Sequence, residues 1–136
     1  INSAMPEFVV DRLAEELNDR QLPMKGTKIL VVGVAYKPDI DDMRESPALD
    51  VIELLRRRGA NVSYVDPHVP SLRLGETTLT SQGPDVDPGD YDAAVIVTHH
   101  SDYDYGKLVD RCPLVFDTRN VTREERLGEG TKVVRL

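Results

Sequence analysis

The chain predicts an α/β fold: a Rossmann-like, three-layer αβα arrangement around a mostly parallel sheet. Three observations carry that prediction. Ile29-Leu-Val-Val32, Ala93-Ala-Val-Ile-Val97 and Leu114-Val-Phe116 are continuous apolar runs, as strands buried on both faces require. Helical or polar segments separate these runs, the alternation expected of parallel strands joined by crossovers. Polar residues follow three of the runs directly, where the carboxyl ends of parallel strands would gather them on one rim.

The amino-terminal segment is helical in pattern. Met5, Val9, Leu13 and Leu17 recur every four residues with charges between them. A lone helix whose apolar stripe precedes the first strand suggests an element that packs on something else. We therefore read the chain as the carboxyl-terminal part of a larger protein, with residues 1–22 as a leading helical segment and 23–136 forming the domain proper. Asn18 to Thr27 reads as a linker, broken by Pro23 and Gly26.

After the first strand comes a long polar loop, Gly33-Val-Ala-Tyr-Lys37-Pro-Asp-Ile-Asp41-Asp42-Met-Arg44-Glu-Ser46-Pro47. Ser46 suits an N-cap, and Pro47 suits the first helical position, where its missing N–H costs nothing. Ala48, Val51, Ile52 and Leu55 then form one apolar stripe. Arg56-Arg57-Arg58 place cations at the negative end of the helix dipole, and Gly59 permits the left-handed turn that stops it. The arginine run reads as a solvated helix end.

Val62-Ser-Tyr-Val65 is the second strand and ends at Asp66-Pro67. Residues 68–90 are rich in Pro, Gly, Asp and Ser, with a weak strand signal at Thr77 to Leu79. A short helix is expected over Tyr105 to Asp110, and Lys132-Val-Val134 is the last strand. No internal repeat is visible.

Composition narrows the function. A formal net charge of −7 argues against nucleic acid as the main partner. No apolar run approaches the roughly 20 residues needed to span a bilayer. One cysteine, Cys112, cannot form an internal disulfide, which fits a cytoplasmic location.

The rim loops are the candidate site: Lys37 to Arg44, Thr98-His99-His100, and Asp117-Thr118-Arg119-Asn120. Lysine offers a mobile point charge and arginine a planar fork, a combination that suits a diphosphate. The structural alternative is that both cations only pair with Asp39, Asp41, Asp42 and Asp117. Metal binding at His99-His100 is not expected, because neighbours on a strand end point apart and no Cys or third His lies nearby. Asp66 reads as the residue that fixes the Asp-Pro turn. Cys112, between Arg111 and Pro113 at a strand entry, reads as structural. Gly33 stands alone rather than in a dinucleotide-binding Gly-x-Gly-x-x-Gly turn, so no complete NAD site is expected on this chain.

The run from Gly33 to Leu49 resembles the nucleotide-sugar 6-dehydrogenases, the UDP-glucose and GDP-mannose dehydrogenase family, in their carboxyl-terminal UDP-binding domain. Tyr64-Val-Asp-Pro67, Val95-Ile-Val-Thr-His-His-Ser101 and Phe116-Asp-Thr-Arg-Asn120 match in order. Met5-Pro6-Glu-Phe-Val-Val10 resembles the start of the long helix leading out of the central domain. Tyr36 to Arg44, Thr98 to Tyr105 and Asp117 to Asn120 are closer to the UDP-N-acetylhexosamine branch than to the UDP-glucose branch.

The resemblance implies that Lys37 reaches the UDP-sugar, with Tyr36 shaping its pocket, and that Arg119 and Asn120 lie on the substrate side. It implies that Arg44 reaches NAD held mainly by an amino-terminal domain. It further implies oxidation of the sugar C6 alcohol to a carboxylate in two NAD-dependent steps through a cysteine adduct of a central domain, and a homo-oligomer at full length. No catalytic residue is expected on this chain itself. The rival from another class is a receiver-like signalling domain, with acids at Asp39, Asp41, Asp42 and Asp66 and a strand-end Thr98. That reading lacks the lysine expected after the fifth strand, where Asp117-Thr-Arg-Asn120 stands instead.

Overall fold

In a computed structural model, which describes residues 4–35 and 46–136, five parallel strands form one sheet in the order β2-β1-β5-β6-β7. The elements run α1 (Ala4–Asp19), β1 (Lys28–Val32), α2 (Pro47–Arg57), β2 (Asn61–Val65), β3 (Ser71–Leu74), β4 (Thr77–Thr80), β5 (Ala93–Ile96), α3 (Tyr105–Arg111), β6 (Leu114–Asp117) and β7 (Lys132–Arg135). All four pairings in the sheet are parallel.

The continuous apolar runs occupy the middle of the sheet, and their side chains alternate between two cores. Ile29, Val31, Ala93, Val95, Leu114 and Phe116 face one core, which α1 and α2 cover. Leu30, Val32, Ala94, Ile96 and Val115 face the other, covered by Tyr105, Leu108 and Val109 of α3. Period-two alternation across a sheet covered on both faces explains why no polar residue interrupts these strands. Contrary to the expectation that its apolar stripe packs on something else, the amino-terminal helix buries Val9, Val10, Leu13 and Leu17 in this domain's first core, alongside α2, while Phe8 remains 54% exposed. Lys132 Nζ, 2.9 Å from Glu16 Oε1, ties α1 to the edge strand β7.

The ends of α2 form as their sequence requires. Ser46 Oγ accepts from Ala48 N, with Pro47 following at the first helical position. At the other end Gly59, at φ 90°, donates to Arg56 O, and Ala60 donates to Leu55 O. Those two bonds are the paired closure of a Schellman motif.

One strand was not foreseen. Ser71–Leu74 pairs antiparallel with Thr77–Thr80, the weaker segment anticipated at Thr77 to Leu79. Gly75, at φ 59°, begins the two-residue turn between them. Leu72 and Leu79 are cross-strand partners; Leu72 is buried in the first core and Leu79 packs against it. This hairpin occupies the stretch between β2 and β5 that would otherwise be a crossover helix.

The chain order defines where a ligand should meet the sheet. From β1 the chain passes through α2 to β2 on one side, then returns to β5 on the other side of β1. The loops leaving β1 and β5 therefore diverge to opposite faces. The crevice between them is a topological switch point, the usual ligand site of an open parallel sheet.

Candidate functional site

The rim at the carboxyl ends of β2, β1 and β5 is held by one buried carboxylate. Asp66, directly after β2, is 2% exposed. Its Oδ2 accepts from Val34 N at 2.7 Å, Ala35 N at 3.0 Å and His100 Nε2 at 2.9 Å. Its Oδ1 accepts from His68 N at 2.8 Å, closing the Asp-Pro turn. Because β1 lies between β2 and β5, this carboxylate bridges the exit of β1 and joins three loops. Sequence reasoning anticipated only the turn.

Two further contacts close the clasp. Thr98 Oγ1 donates to Ala35 O at 2.6 Å. Gly33, at φ 84°, lies so close to β5 that an added Cβ would sit 2.3 Å from Thr98 O. Only a glycine fits this close approach to Thr98 at a positive φ. Behind the loop, Ser46 Oγ donates to Val34 O at 2.7 Å while capping α2. Both stems of the segment 36–45 are thus fixed to each other and to the sheet. Tyr36, Lys37 and Arg44, expected in the site, lie in that segment, outside the described residues.

Residues 99 and 100 diverge as adjacent strand-end residues do. His99 is exposed with its ring edge-on to Tyr105, whereas His100 is buried against Asp66. His68 stacks beside His100 at 4.6 Å and its Nε2 lies 3.2 Å from Asp102 Oδ1. The Tyr105 hydroxyl accepts from His100 N at 2.9 Å, and burial pushes that phenol up to about 12.

At the end of β6 a second carboxylate organises its own loop. Asp117 is fully buried, and its Oδ1 accepts from Arg119 N at 3.0 Å and Val121 N at 3.2 Å. Its Oδ2 accepts from Thr122 N at 2.9 Å and Thr122 Oγ1 at 2.6 Å. Burial alone would push this carboxyl up, but the bonds from Thr122, Val121 and Arg119 outweigh it and hold the group below 3.8. The backbone wraps around Asp117, with Asn120 in the left-handed region at φ 60°. The side chains of Arg119 and Asn120 are exposed on the rim that carries the β1 and β5 exits.

The remaining candidates fall away from this rim. Cys112 caps α3 at the entry to β6, the opposite end of the sheet. Its thiol is buried, donates to Leu114 O at 3.4 Å and is pushed up to about 11 by burial, which leaves it inert. Among the described residues no group of three or more His, Cys, Asp or Glu side chains is placed to hold a metal ion. The receiver-like reading needs an open strand-end aspartate. Asp66 instead faces inward and takes four donors. Among the described residues no helix is long and apolar enough to cross a membrane.

Comparison with known proteins agrees with this geometry. The profile of the UDP-glucose/GDP-mannose dehydrogenase family, UDP binding domain, matches residues 30–124, which include all three rim loops. A UDP-N-acetyl-D-mannosamine dehydrogenase of Methanococcus maripaludis is 34% identical over 129 residues, covering 89% of this chain and 29% of that protein. A UDP-glucose 6-dehydrogenase of Rhizobium meliloti is 34% identical over 113 residues, covering 78% of this chain and 26% of that protein. The structure of a UDP-D-ManNAc dehydrogenase from Pyrococcus horikoshii superposes with a TM-score of 0.77 at 28% identity, over 98% of this chain and 31% of that one. The chain thus spans less than a third of the length of these relatives. With its family profile matched from β1 through the Asp117 loop, the chain belongs to the UDP-glucose/GDP-mannose dehydrogenase family, as a UDP-binding domain.

Proposed function

We propose that this chain is the UDP-sugar-binding part of an NAD-dependent nucleotide-sugar 6-dehydrogenase. The observation that carries the reading is the switch-point rim, where β1, β5 and β6 end side by side inside the family match. Arg119 and Asn120 are exposed on that rim, and in this reading they meet the substrate. Lys37 reaches the UDP-sugar and Tyr36 shapes its pocket. Arg44 reaches toward NAD, which the preceding domain holds in the main. Residues 1–22 end the helix that links to the central domain, and the complete protein works as a homo-oligomer in the cytoplasm.

The chain's part in the reaction is positional. Anchoring the nucleotide at a distance from the reacting carbon orients C6 toward the cysteine of the central domain, and remote binding energy of this kind lowers the barrier. The residues at Thr98 to Tyr105 and Asp117 to Asn120 favour a UDP-N-acetylhexosamine, N-acetylglucosamine or N-acetylmannosamine. A UDP-glucose substrate is the second reading, supported by the equal identity to the Rhizobium enzyme.

The test is NADH formation by the full-length protein with UDP-N-acetylglucosamine, UDP-N-acetylmannosamine and UDP-glucose. Two NADH per acetamido sugar are expected; activity with UDP-glucose alone would move the chain to the second reading. Lys37→Ala should weaken UDP-sugar binding roughly 10- to 100-fold, the loss of one charge-assisted contact. Arg44→Ala should raise the KM for NAD. Unchanged kinetics in both variants would sink the residue assignment.

A further inference from the structure

Thr122 lies beyond the Asp117-Thr-Arg-Asn120 motif and has no ligand-facing surface, being fully buried. Its hydroxyl nonetheless joins two charged groups. Oγ1 donates to Asp117 Oδ2 at 2.6 Å and accepts from Arg135 Nη2 at 3.3 Å, while the same guanidinium nitrogen donates to Thr122 O at 3.2 Å. Arg135 comes from the end of β7, the neighbour of β6. A hydroxyl between a cation and a carboxylate has its proton direction fixed, since it can only accept from one and donate to the other.

We propose that Thr122 is a positioning residue for substrate binding: with Arg135 behind it, it locks the Asp117 turn that presents Arg119 and Asn120. This rests on the substrate-side reading of those two residues. The geometry explains why one hydroxyl matters. Asp117 holds Arg119 N and Val121 N through one oxygen and Thr122 through the other, so the carboxylate plane is set by both. Removing the Thr122 hydroxyl takes away the shorter of the two bonds on Oδ2, so that Thr122 N alone holds that oxygen, and leaves Arg135 without its side-chain acceptor there. Asn120, held at φ 60°, has an alternative extended conformation close in energy once the turn slackens. Preorganisation would be lost in the loop itself, and the cost would appear on binding.

The experiment measures binding of UDP-N-acetylmannosamine, UDP-glucose and NAD to the full-length protein by calorimetry. Thr122→Val, which keeps shape and removes the hydroxyl, should raise the Kd of the sugar nucleotide that binds roughly tenfold, with the Kd for NAD unchanged. Thr122→Ser should restore binding to within about twofold, since it keeps the bridging oxygen. In an Arg119→Ala/Asn120→Ala background, Thr122→Val should add almost nothing, because it acts through those residues. An undiminished effect in that background, or an equal loss of NAD binding, would show a merely structural role and overturn the proposal. If Arg119→Ala/Asn120→Ala itself leaves sugar-nucleotide binding unchanged, the substrate-side reading fails and the proposal with it.

Discussion

Asp66 and Asp117 are buried carboxylates at the ends of parallel strands on one rim, yet they organise it over different ranges. Asp117 bonds to groups two to five residues ahead and shapes a single loop. Asp66 bonds to its own turn and to groups 31, 32 and 34 residues away, so that loops after β2, β1 and β5 share one acceptor. The difference separates two tasks. A local clasp can preorganise the residues that touch a ligand, while a shared clasp fixes the walls of the crevice relative to one another.

The largest effect is expected at Asp66. Asp66→Ala would strip the acceptor from Val34 N, Ala35 N, His68 N and His100 Nε2 together. We expect a loss of about 3–5 kcal/mol, the range for removing one partner from a buried charged network. Urea unfolding measures it, and a loss below about 1 kcal/mol would contradict the shared role. Amide exchange sharpens the point: protection should fall at residues 33–35, 66–68 and 98–101 in this variant, and only around 117–122 when Asp117 is changed.

A smaller effect, with a definite pH dependence, is expected at Asp117. Asp117→Asn keeps the shape but turns an amide against donors, at a cost of about 1–3 kcal/mol at neutral pH. Because folding holds this carboxyl below its ordinary 3.8, its stabilisation is present above that value and disappears as pH falls through the lower folded one. The stability gap between the unaltered protein and the variant should therefore close in acid. A gap that stays constant through the acid range would show that the charge itself contributes nothing.

Local chemistry was the part of this structure most readable in the sequence. Ser46, Pro47 and Gly59 bound α2 because capping and left-handed turns depend on residues a few positions apart. The three apolar runs became central strands because burial on both faces leaves no room for polar residues. Ser71–Leu74 escaped notice as four residues within a Pro- and Gly-rich stretch, although Leu72, Leu74 and Leu79 around Gly75 carry the alternation of a hairpin. Long-range polar pairings left no such trace. Nothing near Asp66 announces that His100 and the β1 exit converge on it, and Thr122 with Arg135 is invisible until β7 is paired to β6. The motif residues Arg119 and Asn120 could be named from resemblance, but the turn that presents them had to be seen.

The switch-point rim is the surface proposed to receive the sugar nucleotide. Hydrogen exchange of the full-length protein, with and without saturating UDP-sugar, addresses it directly. The account predicts new protection in peptides spanning 33–46, 97–104 and 117–122, with none at the opposite ends of the strands, residues 24–28, 88–93 and 111–114. Protection confined to those opposite ends, or absent from this chain while ligand is bound, would contradict it.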